Sequence, residues 1–199
     1  MSATNRNKAG HERQHNDFYS TPHWCINRLL DSEPRLHTGG TWLEPCAGKG
    51  SIIYAVNSNK CYHKFQPNWT AIELRTDLNY TQLPLPNIFH VGIDFLKWNP
   101  KCFFDVVISN PPYHLAQSFI EHAMSMSNVV IFLLRLSYLA SEKRSNFMRK
   151  NTPSIYILPN RPSFVYGQTD NCDYAWFSWG LDENPTIRIL NSTSKIERK

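Results

Sequence analysis

The apolar residues of this chain fall into seven short runs, most of them rich in β-branched and aromatic side chains. Such runs are typical of β-strands. They occupy residues 41–43, 69–74, 88–93, 104–108, 129–136, 154–158 and 174–179. Segments compatible with helices lie between several of them, at residues 51–57, 115–126 and 141–150. Strands that alternate with helices predict an α/β fold with a parallel sheet and helices on both faces.

The last run, residues 174–179, has no helix of useful length before it. We therefore expect it to join the sheet through a hairpin, as an antiparallel last strand in a mostly parallel seven-stranded sheet. The polar ends of the chain frame one domain. The predicted divisions are a flexible N-terminal arm at 1–16, a single domain at 17–190 and a solvated tail at 191–199.

Composition narrows the class of protein. With 199 residues, 41% of them hydrophobic, the chain has room for one domain with a substantial core and not for two large ones. The net charge of +5 suits a polyanionic partner. The five cysteines are odd in number and lack C-x-x-C spacing, so no disulfide framework or metal site is indicated. No apolar stretch approaches the roughly 20 residues that span a bilayer, so we expect a soluble cytoplasmic protein without membrane contact.

Ligands of such folds bind beyond the carboxyl ends of the strands, so the residues after each run are candidates for chemistry. In LEPCAGKGS, after the first run, Gly48 and Gly50 allow a tight turn and close approach of a ligand to the backbone. Glu73 follows the second run, where an acidic residue binds ribose hydroxyls. After the third run, Asp94 is able to accept from an exocyclic amine and Phe95 to cover an adenine. Each signal is weak alone, but their order predicts a nucleoside site.

The fourth run ends in NPPY, residues 110–113, for which a strand-to-loop stop is the simplest interpretation. Proline fixes φ and lacks an N–H group, so Asn110 and Pro111 are held rigidly with acceptor oxygens free to point outward. Two acceptors that face one point suit one NH₂ group. A simple stop does not explain why an amide and a tyrosine flank the prolines.

In this order, LEPCAGKG, Glu73, IDF and NPPY resemble the motifs of amino-methyltransferases that use S-adenosylmethionine (AdoMet), and specifically the adenine-N6 DNA methyltransferases. DFYSTP, residues 17–22, is similar to the segment that closes over the methionine end of the cofactor in these enzymes. PNRPSFVYG and DYAWFSW, at 159–167 and 173–179, are similar to late segments of small phage-type members. The resemblance implies a Rossmann-like class I methyltransferase fold, located in the host-cell cytoplasm if the chain is phage-encoded.

The resemblance also implies roles for individual residues. Asn110 and the carbonyl of Pro111 would accept hydrogen bonds from the target amine, which favours direct methyl transfer without a metal. Thr21 would hold the methionine carboxylate. The implied catalytic set is Asn110, Pro111, Pro112 and Tyr113. The implied cofactor-binding set is Tyr19, Thr21, Glu44, Pro45, Cys46, Ala47, Gly48, Gly50, Glu73, Leu74, Asp94, Phe95 and Asn110.

A base inside a duplex cannot reach such a pocket, so the target adenine must be flipped out and stacked on aromatic rings. Tyr113 is the expected platform, and Phe164 is the candidate for the opposite face, with core packing as its alternative. Nine basic residues are candidates for phosphate contacts. They are Arg6, Lys8, Arg13, Arg135, Lys143, Arg144, Arg149, Lys150 and Arg161. For any one residue of the densest group, at 141–150, a solvated helix face is the preferred interpretation.

The sequence leaves alternatives open. DNA is preferred to RNA as the partner, although nothing in the pocket motifs distinguishes ribose from deoxyribose. A protein-glutamine N5 methyltransferase also uses NPPY but usually carries an N-terminal helical domain, for which the 40 or so preceding residues leave little room. An inactive nucleic-acid-binding relative is disfavoured because both motifs are intact. No stretch is long enough for a target-recognition region, which predicts limited sequence specificity, and the oligomeric state, monomer or weak dimer, is open.

Overall fold

The computed structural model of the protein describes residues 20–60, 66–78, 86–164 and 171–198. The predicted arm at 1–16 lies outside the described residues. The strands are β1 Thr41–Glu44, β2 Asn68–Glu73, β3 Ile88–Val91, β4 Phe104–Ser109, β5 Ser127–Arg135, β6 Ser154–Ile157, β7 Tyr174–Trp179 and β8 Ile187–Ile189. They form one sheet with the order β3-β2-β1-β4-β5-β7-β6-β8.

Strands β1 to β5 pair in parallel, as the alternation of strands and helices predicts. β7 lies between β5 and β6 and is antiparallel to both, which confirms the orientation predicted for residues 174–179. The prediction of seven strands is one short, and the antiparallel strand is not the last. β8 adds an eighth strand that pairs in parallel with β6.

Within the described residues, four α-helices flank the sheet: α1 His23–Ser32, α2 Ser51–Ser58, α3 Ala116–Met124 and α4 Ser145–Lys150. α2 and α3 confirm the segments predicted at 51–57 and 115–126. The segment predicted at 141–150 divides into a 3-10 turn, Glu142–Arg144, and α4. The sequence-based prediction lacked α1, although its buried residues recur about four positions apart, as in any amphipathic helix.

The central strands of the sheet are buried on both faces, to which successive residues of a strand point in turn. On β4, Val106 and Ile108 belong to the core cluster that contains residues of α1 and α2, whereas Val107 belongs to the cluster on the side of α3. A strand covered on both faces carries apolar residues at most positions. The runs in the sequence are therefore nearly continuous rather than alternating.

β8 contains no apolar run and is not held by buried apolar side chains, since its two isoleucines, Ile187 and Ile189, are 71% and 75% exposed. Its middle residue, Arg188, holds the strand instead. The guanidinium of Arg188 donates to Glu33 at 2.9 Å and lies over the ring of Tyr156, its register partner on β6. An edge strand held by a distant carboxylate leaves no local signal in the sequence.

Glu33, directly after α1, is the centre of this contact. It is 1% exposed and accepts hydrogen bonds from Arg35 and Tyr156 as well as Arg188. Burial alone would raise the pKa of the Glu33 carboxyl, but the hydrogen bonds from Arg35 and Tyr156 and the charge of Arg35 outweigh burial and place this pKa below its ordinary value. The ionised carboxylate thus joins the end of α1 to β6 and β8.

The segment after Leu190, predicted to be a solvated tail, is attached to α1. Thr193 is 3% exposed, and Arg28 donates to the side chains of both Thr193 and Glu197. In the part of the chain that the structure describes, no helix has the length and apolarity needed to cross a membrane.

Candidate active site

A cavity of about 180 Å³ opens where the carboxyl ends of β1, β2 and β4 meet. The strand order reverses between β1 and β4, the place where open α/β sheets form a ligand crevice. Every predicted cofactor-binding residue that the structure describes lines this cavity, except Gly50. Tyr19 lies outside the described residues.

The turn between β1 and α2 forms one wall. Gly48 (φ 53°) and Gly50 (φ 68°) adopt the left-handed backbone region that favours glycine. The Gly50 N–H donates to the carbonyl of Ala47 at 2.7 Å, and the Ala47 N–H donates to the carbonyl of Ile72 on β2 at 2.9 Å. The turn therefore presents backbone to the cavity in a fixed position.

Glu73, at the end of β2, joins two walls. It is 7% exposed, and its carboxylate accepts from the backbone N–H groups of Gly48 at 2.7 Å and Arg75 at 2.8 Å. An ionised carboxylate has about four lone-pair sites, so these two bonds leave acceptor capacity. Glu73 both fixes the glycine turn and retains the ability to accept hydroxyl donors.

Glu44, at the end of β1, is 2% exposed, and its Oε2 has no hydrogen-bond partner among the described residues. Burial, and next the charge of Glu73, raise the pKa of the Glu44 carboxyl well above its ordinary value, although a hydrogen bond from the backbone of Ile53 opposes them. Burial and the same two carboxylates raise the pKa of the Cys46 thiol. An unpartnered buried carboxyl oxygen is rare in folded proteins and fits a site for a cationic group.

Three exposed apolar side chains also line the cavity. Leu74 is 54% exposed, Ile93 is 36% exposed and Leu115 is 37% exposed. Beside them, the Asp94 carboxylate accepts from the N–H of Leu96 at 3.1 Å, which caps a short 3-10 turn. A flat polar ring bound at this wall could pack against the apolar side chains and donate a hydrogen bond to the Asp94 carboxylate.

Phe95 borders the cavity but contributes little surface to it. The residue is 2% exposed, and its ring packs on Phe119 and His122, with centroid distances of 5.1 and 4.8 Å. The predicted stacking of Phe95 on an adenine stays a prediction. Leu74 and Ile93 present more apolar surface at this wall.

Asn110 lies at the centre of a hydrogen-bond chain across the end of β4. Its Nδ2 donates to Thr21 Oγ1 at 3.1 Å, and its Oδ1 accepts from the hydroxyl of Tyr113 at 3.0 Å. The two bonds hold the amide group in place between Thr21 and Tyr113. Since a carbonyl oxygen has two lone pairs, Oδ1 can accept a second donor. Asn110 and Pro112 line the cavity, whereas Pro111 is buried behind it.

An aromatic cluster adjoins this chain at the same edge of the sheet. The ring centroids of Tyr113 and Phe164 lie 5.8 and 5.1 Å from that of Tyr174, the first residue of β7. The guanidinium of Arg135 lies over the ring of Tyr113, 5.2 Å from its centroid. Phe164 also packs against the core, so its two interpretations are not exclusive, and base stacking between Tyr113 and Phe164 stays a prediction.

The basic residues predicted to meet phosphates do not form one patch. Arg144 covers the ring of Tyr138 and donates to its carbonyl. Arg149 and Lys150 are exposed, but they close α4 just before β6 begins, at the sheet edge opposite the cavity. Arg135, in contrast, ends β5 at the edge of the cavity. Arg6, Lys8 and Arg13 lie outside the described residues.

Sequence reasoning missed several residues of the site. Ile93 and Leu115 line the cavity. Ile93 is the first residue of IDF and Leu115 lies two positions after NPPY, which was the available signal. The position of Tyr174 could also have been predicted, because the first residue of an antiparallel strand must lie at the carboxyl end of its parallel neighbours. Among the described residues, no group of three or more His, Cys, Asp or Glu side chains could hold a metal ion.

No protein-family model matches this chain, and no curated protein matches it in sequence. Solved structures do match its fold. A methyltransferase subunit of a type I restriction-modification system from Streptococcus thermophilus superposes with a TM-score of 0.66 at 14% identity, covering 92% of this chain. A candidate class I AdoMet-dependent methyltransferase from Listeria monocytogenes gives 0.56 at 14% identity over 84% of this chain.

A candidate RNA methyltransferase from Pyrococcus horikoshii gives a TM-score of 0.57 at 18% identity, with 81% of this chain and 86% of that chain covered. This chain spans 62% of the Listeria protein and 52% of the Streptococcus subunit. At these identities the likeness establishes the fold, which is the Rossmann-like class I methyltransferase fold that the sequence predicts.

Proposed function

We propose that this chain is an AdoMet-dependent methyltransferase that methylates the exocyclic N6 amine of adenine in DNA. The observation that carries the proposal is the placement of Asn110. Its amide is held between Thr21 and Tyr113, at the wall of a cavity that fits AdoMet. A cofactor site and an acceptor for a planar amine thus share one residue.

The cavity fits AdoMet on four counts. The unpartnered Oε2 of Glu44 suits the ammonium group of the methionine moiety, and Glu73 has acceptor capacity left for the two ribose hydroxyls. Asp94 and the exposed Leu74 and Ile93 suit the adenine amine and ring. Thr21, at the same wall, suits the carboxylate.

When bound, AdoMet supplies an electrophilic methyl group on a sulfonium. The work of this chain is to make an aromatic amine nucleophilic, because that amine donates its lone pair into the ring. Asn110 Oδ1 and the carbonyl of Pro111 would accept from its two hydrogens and stabilise the positive charge that develops on nitrogen. The Tyr113 hydroxyl donates to Oδ1 and would hold this oxygen in position for the task.

The target base must leave its stack to reach Asn110. The Tyr113 hydroxyl donates to Asn110, and the Tyr113 ring would provide the aromatic surface for an extruded base. The buried ring of Tyr174 contacts both Tyr113 and Phe164 and would support this surface from within. We expect phosphate contacts to dominate the affinity for DNA, so that salt reduces this affinity strongly.

Incubation with methyl-labelled AdoMet and four separate substrates tests the proposal. The substrates are duplex DNA, single-stranded DNA, RNA and a protein rich in exposed glutamine. We expect label in DNA above RNA and none in protein. Label in RNA alone would support nucleic-acid methylation but replace DNA by RNA as the substrate. Label in protein alone would overturn the proposal.

A further inference from the structure

Arg135 is placed where the target nucleotide would enter. It is the last residue of β5, next to β4 in the sheet, and its register partner is Tyr174. The Leu136 N–H donates to the carbonyl of Asp173 at 2.8 Å, which fixes the backbone at this point. The long side chain therefore starts from a rigid position at the edge of the cavity.

Arg135 contacts both tyrosines of the aromatic cluster. Its guanidinium carbon lies 5.2 Å from the ring centroid of Tyr113, and its Nε donates to the Tyr174 hydroxyl at 3.3 Å. A guanidinium stacks on an aromatic face through its own plane and charge. A flat base that stacks on Tyr113 would compete for the same ring.

The Arg135 guanidinium rests on a ring that the proposed function requires for the base. A guanidinium displaced from this ring would stand beside the extruded nucleotide, whose phosphates must lie at the mouth of the pocket. Arginine binds a phosphate through two parallel N–H bonds.

We propose that Arg135 binds the phosphate backbone at the extruded nucleotide, and that the ring of Tyr113 is exchanged between this guanidinium and the target base. The inference rests on the proposed function, since it takes the ligand to be a polynucleotide with a flipped base. It makes Arg135 a substrate-binding residue that holds the base platform covered until nucleic acid arrives.

The test measures binding apart from methylation. The full chain and the variants Arg135→Ala, Arg135→Lys and Arg149→Ala are titrated onto fluorescein-labelled 20-nucleotide DNA of mixed sequence, single-stranded and duplex, with S-adenosylhomocysteine present. Anisotropy is read across a range of salt concentrations. Arg149→Ala is the matched control, because it removes one equal charge at the opposite edge of the sheet.

We expect Arg135→Ala to weaken DNA binding about tenfold and to reduce the slope of log affinity against log salt by about 0.7 to 0.9, the contribution of one phosphate contact. Arg149→Ala should leave the slope unchanged. Arg135→Lys should keep the slope but bind about threefold more weakly, because lysine lacks the planar fork. In methylation assays Arg135→Ala should raise KM for DNA by a similar factor and change kcat little.

Equal slopes and affinities for Arg135→Ala and Arg149→Ala would overturn the inference while leaving the proposed function standing. The converse result, an Arg135-dependent slope without any methylation by the wild type, would reject the proposed reaction and keep the phosphate contact. Failure of the wild type to bind DNA would reject both. If thermal melting shows that Arg135→Ala is unfolded, the DNA affinity of Arg135→Lys is the deciding measurement. Wild-type DNA affinity in Arg135→Lys would contradict the proposed contacts of the planar guanidinium with the phosphate and with the Tyr113 ring.

Discussion

Glu44 is the residue through which pH should control cofactor binding. It is 2% exposed, its Oε2 has no partner among the described residues, and burial followed by the charge of Glu73 raises its pKa. Without cofactor, the carboxyl stays protonated over a pH range in which an ordinary glutamate ionises. If the AdoMet ammonium binds there, binding releases a proton, and affinity rises with pH by up to about tenfold per pH unit.

The perturbation is Glu44→Gln, which keeps the shape and removes the charge. Loss of a hydrogen bond to a charged group should weaken AdoMet binding by about 1.5 to 3 kcal/mol and abolish its dependence on pH. The free energy of unfolding should change with pH in the direction opposite to AdoMet affinity. Because the folded pKa of Glu44 is raised, wild-type stability falls by about 1.4 kcal/mol per pH unit between the ordinary and the raised value. The variant does not titrate, so its advantage in the free energy of unfolding widens with pH.

Calorimetry with AdoMet from about pH 5.5 to 7, below the pKa of an α-amino group at about 7.7 to 8.0, measures the first effect. Thermal melting of the cofactor-free protein over the same range measures the second. Glu121→Gln, at an exposed position on α3, is the control. A Glu44→Gln variant that binds AdoMet with wild-type affinity and wild-type pH dependence would remove Glu44 from the cofactor site.

Three further substitutions probe other parts of the molecule. Glu73→Ala should weaken AdoMet binding by about 2 kcal/mol in calorimetry, since it removes the acceptor of the ribose hydroxyls, and unchanged affinity would refute that role. Tyr113→Phe should lower kcat about fivefold at constant AdoMet affinity, because the bond of about 1 kcal/mol that orients Asn110 is lost, and an unaltered kcat would show that the ring alone matters. Glu33→Gln should lower the free energy of unfolding by about 1.5 to 3 kcal/mol in denaturant titrations at pH 7, because it removes the charge of a buried carboxylate that accepts hydrogen bonds from two half-exposed arginines. As the pKa of Glu33 lies below its ordinary value, its contribution is lost as pH falls through that lowered pKa, so variant and wild type should converge in acid.

The sequence predicted the strands better than the helices. Mostly apolar runs marked β1 to β7, and the central strands of the sheet are covered on both faces, which favours apolar residues at most positions. β8 could not be predicted in this way, since Arg188 attaches it to Glu33, 155 residues away in the chain. Its two isoleucines are exposed, so the local pattern carries no information about the pairing.

The candidate site was predictable where chemistry requires particular residue types after particular strands. Glu73 and Asn110 were identified from their places at strand ends, and both line the cavity. The unpartnered oxygen of Glu44 and the position of Arg135 over Tyr113 depend on side-chain packing between separate strands. Such contacts are set by the register of the sheet, which a list of strands does not contain.

The identity of the methylated atom shows directly whether this chain methylates adenine N6 in DNA. DNA incubated with the protein and AdoMet is digested to nucleosides and examined by mass spectrometry, with Asn110→Ala as the comparison and its AdoMet affinity measured separately. We predict N6-methyl-2′-deoxyadenosine in the wild-type reaction and a rate at least roughly a hundredfold lower for Asn110→Ala, at nearly unchanged AdoMet affinity. Methylation at another atom would contradict the proposed reaction, and an Asn110→Ala variant as active as the wild type would contradict the proposed role of Asn110.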